Sequence, residues 1–422
     1  MSIVSERPEV RKEGTTRQTI VIVSGGFVLL ALVRALTNSS ELTSSGTFGA
    51  ALRLGVPILL AGLGALFAER AGIVNIGLEG MMILGTWFGA WGGIEFGPWW
   101  GVVAGVIGGA LGGLLHAVAT VTFGVDHIVS GVAINILGEG VARFLSVIFF
   151  TNIGGSETQS PAVPGTIGKF TVPFVAGGPF FGWKTPDLFG WLEHRRWFLI
   201  SDLGAFLKGM TSDLSWLVVI AALLVVLSFY FLWRTRLGLR LRSVGEHPVA
   251  AESLGIPVYT MKYVAVIISG GLAGLGGAFL VYTASGIYQE GQVGGRGFIG
   301  LAALIFGNWR PGGVAAAAGI FGYSDALQLR SDTAVHGLLL FAAVGVAIAA
   351  AWLGVRGKVR SAVIVGVLSG LVFWWFAVTN SVPRQFVAYL PHFTTLLVLA
   401  LATQRLRPPA ADGRPYRKGQ AQ

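Results

Sequence analysis

The chain has 422 residues, of which 53% are hydrophobic and only 12% are charged, with a mean hydropathy of +0.71. Soluble domains carry about 25% charged residues, so this chain cannot cover a water-facing surface and reads as a polytopic membrane protein. Cysteine is absent, which excludes a disulfide framework, a thiolate metal site and a cysteine nucleophile.

The net charge of +10 is concentrated in four clusters, Arg7 to Arg17, Arg234 to Arg242, Arg356 to Arg360 and Arg405 to Lys418. All four flank apolar runs. That is the positive-inside pattern of a membrane protein and not a nucleic-acid surface. The first apolar run lacks a small-residue cleavage site, so it is expected to be a retained helix.

A spanning helix needs roughly 20 apolar residues. In chain order the candidates are Ile20–Leu36, Ala51–Phe67, Val74–Ile94, Trp99–Phe123, Ile128–Phe150, Leu214–Trp233, Tyr263–Thr283, Phe298–Phe306, Val314–Leu329, Ala334–Leu353, Ala362–Thr379 and Tyr389–Ala402. Phe298–Phe306 is too short to cross alone. With "GQVGGRGF" before it and "GNWRPGG" after it, it suggests a broken or re-entrant helix. Such breaks are tolerated where they are buried in protein or line a cavity, so this region is a candidate substrate path.

The expected fold is all-α and polytopic, with roughly 10–12 transmembrane helices and both termini cytoplasmic. Residues 1–19 form an N-terminal tail, 20–403 the membrane domain and 404–422 a C-terminal tail. Within the domain, 151–213 is an extracytoplasmic loop and 234–262 a cytoplasmic region. Glycine spacings such as Gly105–Gly109–Gly113 and Gly270–Gly274–Ala278 place small residues on one helix face for tight packing.

Enzyme signatures are missing. "GGPFFGWKT" lacks the Gly-Lys pair of a phosphate-binding loop, and "GLAGLGG" lies in an apolar span with no strand before it. The six histidines show no metal-ligand spacing, and no serine-hydrolase elbow is present. No metal site is expected.

Ionisable and polar groups at membrane depth are costly and each needs an account. Glu139 and Arg143 are spaced for an intrahelical ion pair. Glu69 and Arg70 end a span. Asp325 and Arg330 read as a local pair. Glu79 can cap a broken helix or serve the solute path, and Asn75 and Asn135 can bond a hydroxylated ligand or another helix.

"RSVGEHPVAAESLGI" (Arg242–Ile256) interrupts two apolar runs. Pro248 suits the first turn of a helix, Glu246 suits its positive end and Gly255 suits its stop. Ala250 and Ala251 leave room for close approach, and Glu252 offers a charge. The stretch is either an ordinary loop helix or one that plugs into a partner's groove.

Arg236–Leu280, which contains that stretch, resembles the coupling-helix region of ABC importer permeases. The likeness is to the branch that serves nucleosides and simple sugars, related to ribose and branched-chain amino acid permeases. "LFAERAGIVNIGLEGMMILG", "VSGVAINILG", "GRGFIGLAALIFGNWRPGG", "GYSDALQLR" and "LPHFTTLLVLALATQRLRPPAADGRPY" resemble it in the same order.

The resemblance implies a prokaryotic plasma-membrane subunit that is not itself an enzyme. Its partners would be ATPase subunits, which use ATP and magnesium, a second permease subunit and an extracytoplasmic solute-binding protein. This chain would bind no cofactor. Glu246, Pro248, Ala250, Ala251, Glu252, Leu254 and Gly255 would form the ATPase-coupling site. Asn75, Glu79, Asn135 and Phe298 would lie along the solute path, from their position in the resembling segments. Residues 331–385 look like an inserted helix pair, silent for topology. The alternatives are a permease for branched-chain amino acids or another small polar solute, a stand-alone ion-coupled carrier, and a membrane-embedded enzyme.

Overall fold

The computed structural model describes residues 13–330, 332–387, 389–390 and 406–419. Helices dominate, and seven of those described are long and apolar enough to cross a membrane. Each expected span up to Thr379 is a helix. The expected span Tyr389–Ala402 lies almost wholly outside the described residues, as do 1–12 of the N-terminal tail and position 331 at the start of the inserted pair.

The chain opens with α1 (Glu13–Thr37), α2 (Ser45–Arg70), α3 (Leu78–Phe96), α4 (Pro98–Ala117) and α5 (His127–Phe149). The loop after α5 carries the short strands β1 (Lys169–Phe170), β2 (Pro179–Phe180) and β3 (Trp183–Lys184). It continues through α6 (Leu188–His194) and α7 (Ile200–Thr211) to β4 (Leu214–Ser215), which pairs antiparallel with β1. The "GGPFFGWKT" stretch is the β2–β3 hairpin. Then come α8 (Trp216–Arg234), α9 (Arg236–Glu246), α10 (Pro248–Ser253) and α11 (Val258–Phe279). The chain continues with α12 (Arg296–Phe306), α13 (Pro311–Gln328), α14 (Asp332–Val355), α15 (Val359–Val378) and α16 (Arg384–Val387).

The core forms where α11 packs against α2, α3 and α4, with α12 and α13 on α2 and α5 on α3. Glycines make this possible. A Cβ on Gly109 would sit 2.3 Å from the Gly270 carbonyl, and one on Gly274 would sit 2.3 Å from the Gly105 carbonyl. The two spaced glycine stripes therefore face each other, backbone against backbone. Helices α14 and α15 pack mainly on one another, with α1 beside α14.

The two ends of the bundle differ. At one end the 150–215 loop covers α2, where Ser45 N–H donates to Glu193 at 3.0 Å. At the other, Arg70 closes α2 beside α9, and Gly245 lies so near that its Cβ would meet the Arg70 carbonyl at 2.2 Å.

Two expected ion pairs change. Arg143 pairs with Glu157 and Glu290, each at 3.7 Å, and not with Glu139. Its guanidinium reaches toward the loop end instead of back one helical turn. Asp325 pairs with Arg296 at 3.8 Å, and Arg330 reaches Glu41 at 3.6 Å. In both cases residues distant in sequence supply partners that helical spacing could not reveal.

Candidate functional site

Two polar regions stand out within the apolar frame. The first is a break between α2 and α3. The expected helix from Val74 begins instead at Leu78, because residues 71–77 leave helical geometry. Gly72 takes a φ of +78°, a conformation that side chains resist.

Non-helical backbone at membrane depth needs partners for its N–H and C=O groups. Asn75 supplies some. It is fully buried, its amide donates to Ser269 Oγ at 2.9 Å, and its oxygen accepts from Gly77 N–H at 3.1 Å. Asn135 on α5 accepts from Gly80 N–H at 2.8 Å and donates to the Ile76 carbonyl at 3.1 Å. His127 Nδ1 accepts from Val74 N–H at 3.3 Å, and His116 bonds the Val74 carbonyl at 3.2 Å. Both asparagines thus brace protein backbone. The two histidines were missed in the sequence, where their only signal was a polar ring inside an apolar run.

Glu79 crosses from this break to the second broken element. Its two carboxylate oxygens accept from Gly295 N–H and Gly297 N–H, each at 2.7 Å. Those donors open α12, an eleven-residue half-helix. The N-terminus of a helix carries a partial positive charge and free N–H groups. Glu79 satisfies both from 216 residues away. A Cβ on Gly297 would collide with Glu79, so glycine is required for this approach.

Phe298, one residue on, is 47% exposed. Glu139 is also exposed, and it sits midway along α5 within electrostatic range of Glu79. A carboxylate at mid-span faces water or a partner and not lipid tails. Glu79 is buried beneath, while Glu139 on α5 and Phe298 on α12 are exposed.

The second region is α10. Pro248 occupies its first turn as expected, and Gly255 ends it with a φ of +77°. Two details differ from the sequence reading. The cap is His247, whose Nδ1 accepts from Ala250 N–H at 3.2 Å. Glu246 instead approaches Arg70 at 3.8 Å and accepts from Ala410 N–H at 3.2 Å. Ala251 points inward and is buried, so only Ala250 is free for close approach. Leu254 is 81% exposed, a large apolar side chain at the tip of a polar turn. Glu252 accepts a hydrogen bond from the Tyr416 hydroxyl.

The α2 end beside α10 is also knitted. Trp309 Nε1 donates to Glu69 at 2.6 Å, and Arg70 donates to the Trp309 carbonyl at 2.7 Å. Arg70 and Arg242 both lie over the Trp233 ring, at 5.5 and 5.4 Å from its centroid. Trp309 lies in the "GNWRPGG" stretch that follows the short α12.

The family model described as branched-chain amino acid transport system / permease component matches residues 47–403. The chain belongs to this permease family. It is similar to the guanosine ABC transporter permease protein NupQ of Bacillus subtilis, 33% identical over 377 residues, covering 88% of this chain and 96% of that protein. It is 32% identical over 371 residues to the nucleoside ABC transporter permease protein NupC of Lactococcus lactis, covering 86% of this chain and 93% of that protein. It is also 32% identical over 292 residues to the putative glucose ABC transporter permease protein TsgC13 of Haloferax volcanii, covering 69% and 79%. No solved structure matches. The resemblance to ABC permeases of the nucleoside and sugar branch is thereby borne out, and the permease is a multi-pass plasma-membrane protein.

Proposed function

We propose that this permease carries an uncharged nucleoside, or a related simple sugar, through an ATP-driven importer. The observation that carries this reading is the Glu79 cap. In transporters with discontinuous helices, the positive end of a half-helix often faces an anionic group of the solute. Here the chain's own carboxylate occupies that end. Nearby Arg143 and Arg296 have carboxylate partners as well. An amino acid would bring a carboxylate to a helix end that is already neutralised, which disfavours the branched-chain amino acid reading. A neutral ribosyl solute needs hydrogen bonds and a flat apolar contact, which Glu139 and Phe298 can offer. The relatives named for guanosine and nucleosides support the same class.

In this reading the basic ends and both termini are cytoplasmic, and the open α5–α12 face meets a second permease subunit. A solute-binding protein delivers from the loop side. ATPase subunits seat α10 in a groove, with Ala250 and Leu254 facing them. ATP-driven closure of the ATPase pair moves α10 and re-orients the face, a rigid-body coupling without bond chemistry in this chain.

The test uses cells with and without this gene and labelled guanosine, ribose and leucine. Loss of guanosine or ribose uptake, with leucine uptake intact, is expected on deletion. Loss of leucine uptake with guanosine uptake intact would overturn the assignment. Ala250→Arg, at an exposed position, is expected to abolish uptake while solute capture by the binding protein persists. Full uptake in that variant would remove α10 from the coupling role.

A further inference from the structure

The C-terminal stretch "LRPPAADGRPYRKG" (Leu406–Gly419) resembles the family's end. Its contacts are specific. Arg407 N–H donates to Asn308 Oδ1 at 2.8 Å, on the turn between α12 and α13. Ala410 N–H donates to Glu246, and Ala411 N–H donates to the Gly245 carbonyl at 2.9 Å. The segment lies flat here because Gly72 is bare. A Cβ on Gly72 would meet the Ala411 carbonyl at 3.1 Å.

Asp412 then turns inward beside Glu69, Arg70 and Lys262, at the ends of α2 and α11. Finally the buried Tyr416 ring packs with Val244, Ala251 and Val258 and tilts against Tyr259 at 5.8 Å. Its hydroxyl donates to Glu252 on α10.

A helix of six residues cannot hold itself in water, since isolated helices below about 12 residues are marginal. The two buried residues of α10, Pro248 and Ala251, are small. Much of its support must come from neighbours, and the Tyr416 ring forms part of the floor under Ala251. The same strand of chain reaches the turn that ends α12, whose other end is capped by Glu79.

We propose that residues 406–419 are a strap that ties α10 to the ends of the path-lining helices, with Tyr416 as the positioning residue. The strap gives motion of α10 a direct route to α12 and α2, beside the route through α9 and α11. Burial and the Glu252 carboxylate push the Tyr416 hydroxyl well above its ordinary pKa, so it remains a donor throughout the physiological range.

The proposal rests on α10 being the coupling helix, and the test separates the two. The complete transporter, with its ATPase and binding protein, is reconstituted in vesicles. Solute imported per ATP hydrolysed is measured for wild type, Tyr416→Phe, Glu252→Ala and the double variant. Tyr416→Phe keeps the ring and removes one hydrogen bond to a charge, so the ratio is expected to fall roughly tenfold. The double variant is expected to lose less than the product of the single losses, as for two ends of one interaction. Assembly with the ATPase should be unchanged in Tyr416→Phe. A lowered melting temperature with a wild-type ratio would make the segment a stabiliser only and overturn the strap. If Ala250→Arg abolishes uptake while Tyr416→Phe keeps the full ratio, the strap alone fails. If Ala250→Arg transports normally, the coupling-helix reading fails and the strap falls with it.

Discussion

Helices α11 and α15 are both apolar and both long enough to cross a membrane, yet they live in different surroundings. In its most apolar window 83% of α11 is buried within the protein, against 6% for α15. Apolarity alone cannot separate a helix that faces protein from one that faces lipid, because lipid tails are as apolar as leucine. What separates them is how their glycines are used. Those of α11 meet backbone, whereas Gly370 on α15 has open space around it. Close approach, and not greasiness, defines the core of this protein.

The strongest way to break that contrast is to fill a core glycine. Gly274→Val places side-chain atoms into the Gly105 and Gly109 backbone, and costs about 3 kcal/mol or more if the helices cannot separate. Little folded protein is expected from gel filtration of detergent extracts. Gly370→Val should change stability by no more than about 0.5 kcal/mol. Equal yields for the two variants would remove glycine packing as the basis of the core.

A smaller effect is expected at the helix cap. Glu79→Ala strands the buried Gly297 N–H, at about 1–3 kcal/mol, and the half-buried Gly295 N–H at less. Uptake should fall by about a hundredfold, with partial recovery in Glu79→Gln, which keeps one acceptor oxygen. An equal loss for Gln and Ala would show that the charge matters and the hydrogen bonds do not. Arg360→Ala, at the exposed start of α15, should leave uptake unchanged.

The smallest effect is a pH dependence confined to the α10 end. Burial raises the Asp412 carboxyl to about 6, against its hydrogen bond with Glu69, the Gly413 N–H and the charges of Lys262 and Arg70, which pull it down. The folded protein therefore holds this proton more tightly than the unfolded chain, whose value is about 3.9. The contribution is complete below about 3.9 and is lost as pH rises through 6. Asp412→Asn should raise the melting temperature at pH 7.5, by the equivalent of about 3 kcal/mol or less, and the gain should vanish near pH 4. A gain that is constant with pH would assign the effect to something other than this proton.

Much of this architecture was legible in the sequence, because hydropathy fixes where a helix must cross. The ends of the spans and the short α12 could be read from apolar runs and glycine breaks. The start of α3 could not, since Val74 to Ile76 are apolar enough for helix and only Asn75, Asn135, His116 and His127 show why the backbone departs. Glu79 was recognisable as an expensive carboxylate, but its donors lie 216 and 218 positions away. The inward turn of Ala251 was hidden for a related reason. A six-residue helix takes its rotational setting from neighbours, and here one neighbour is the far end of the chain. Arg143 shows the same limit, for helical spacing offered Glu139 while the fold offered Glu157 and Glu290.

The cap on α12 has an electrical consequence. Moving one elementary charge across 100 mV is worth about 2.3 kcal/mol. With the field of the half-helix cancelled by Glu79, a neutral solute in the proposed importer would pass without a counter-ion and without moving net charge. Uptake should then be indifferent to a diffusion potential of either sign, so that the yield of the cycle depends on ATP alone and the voltage of the membrane is left for other transporters to spend.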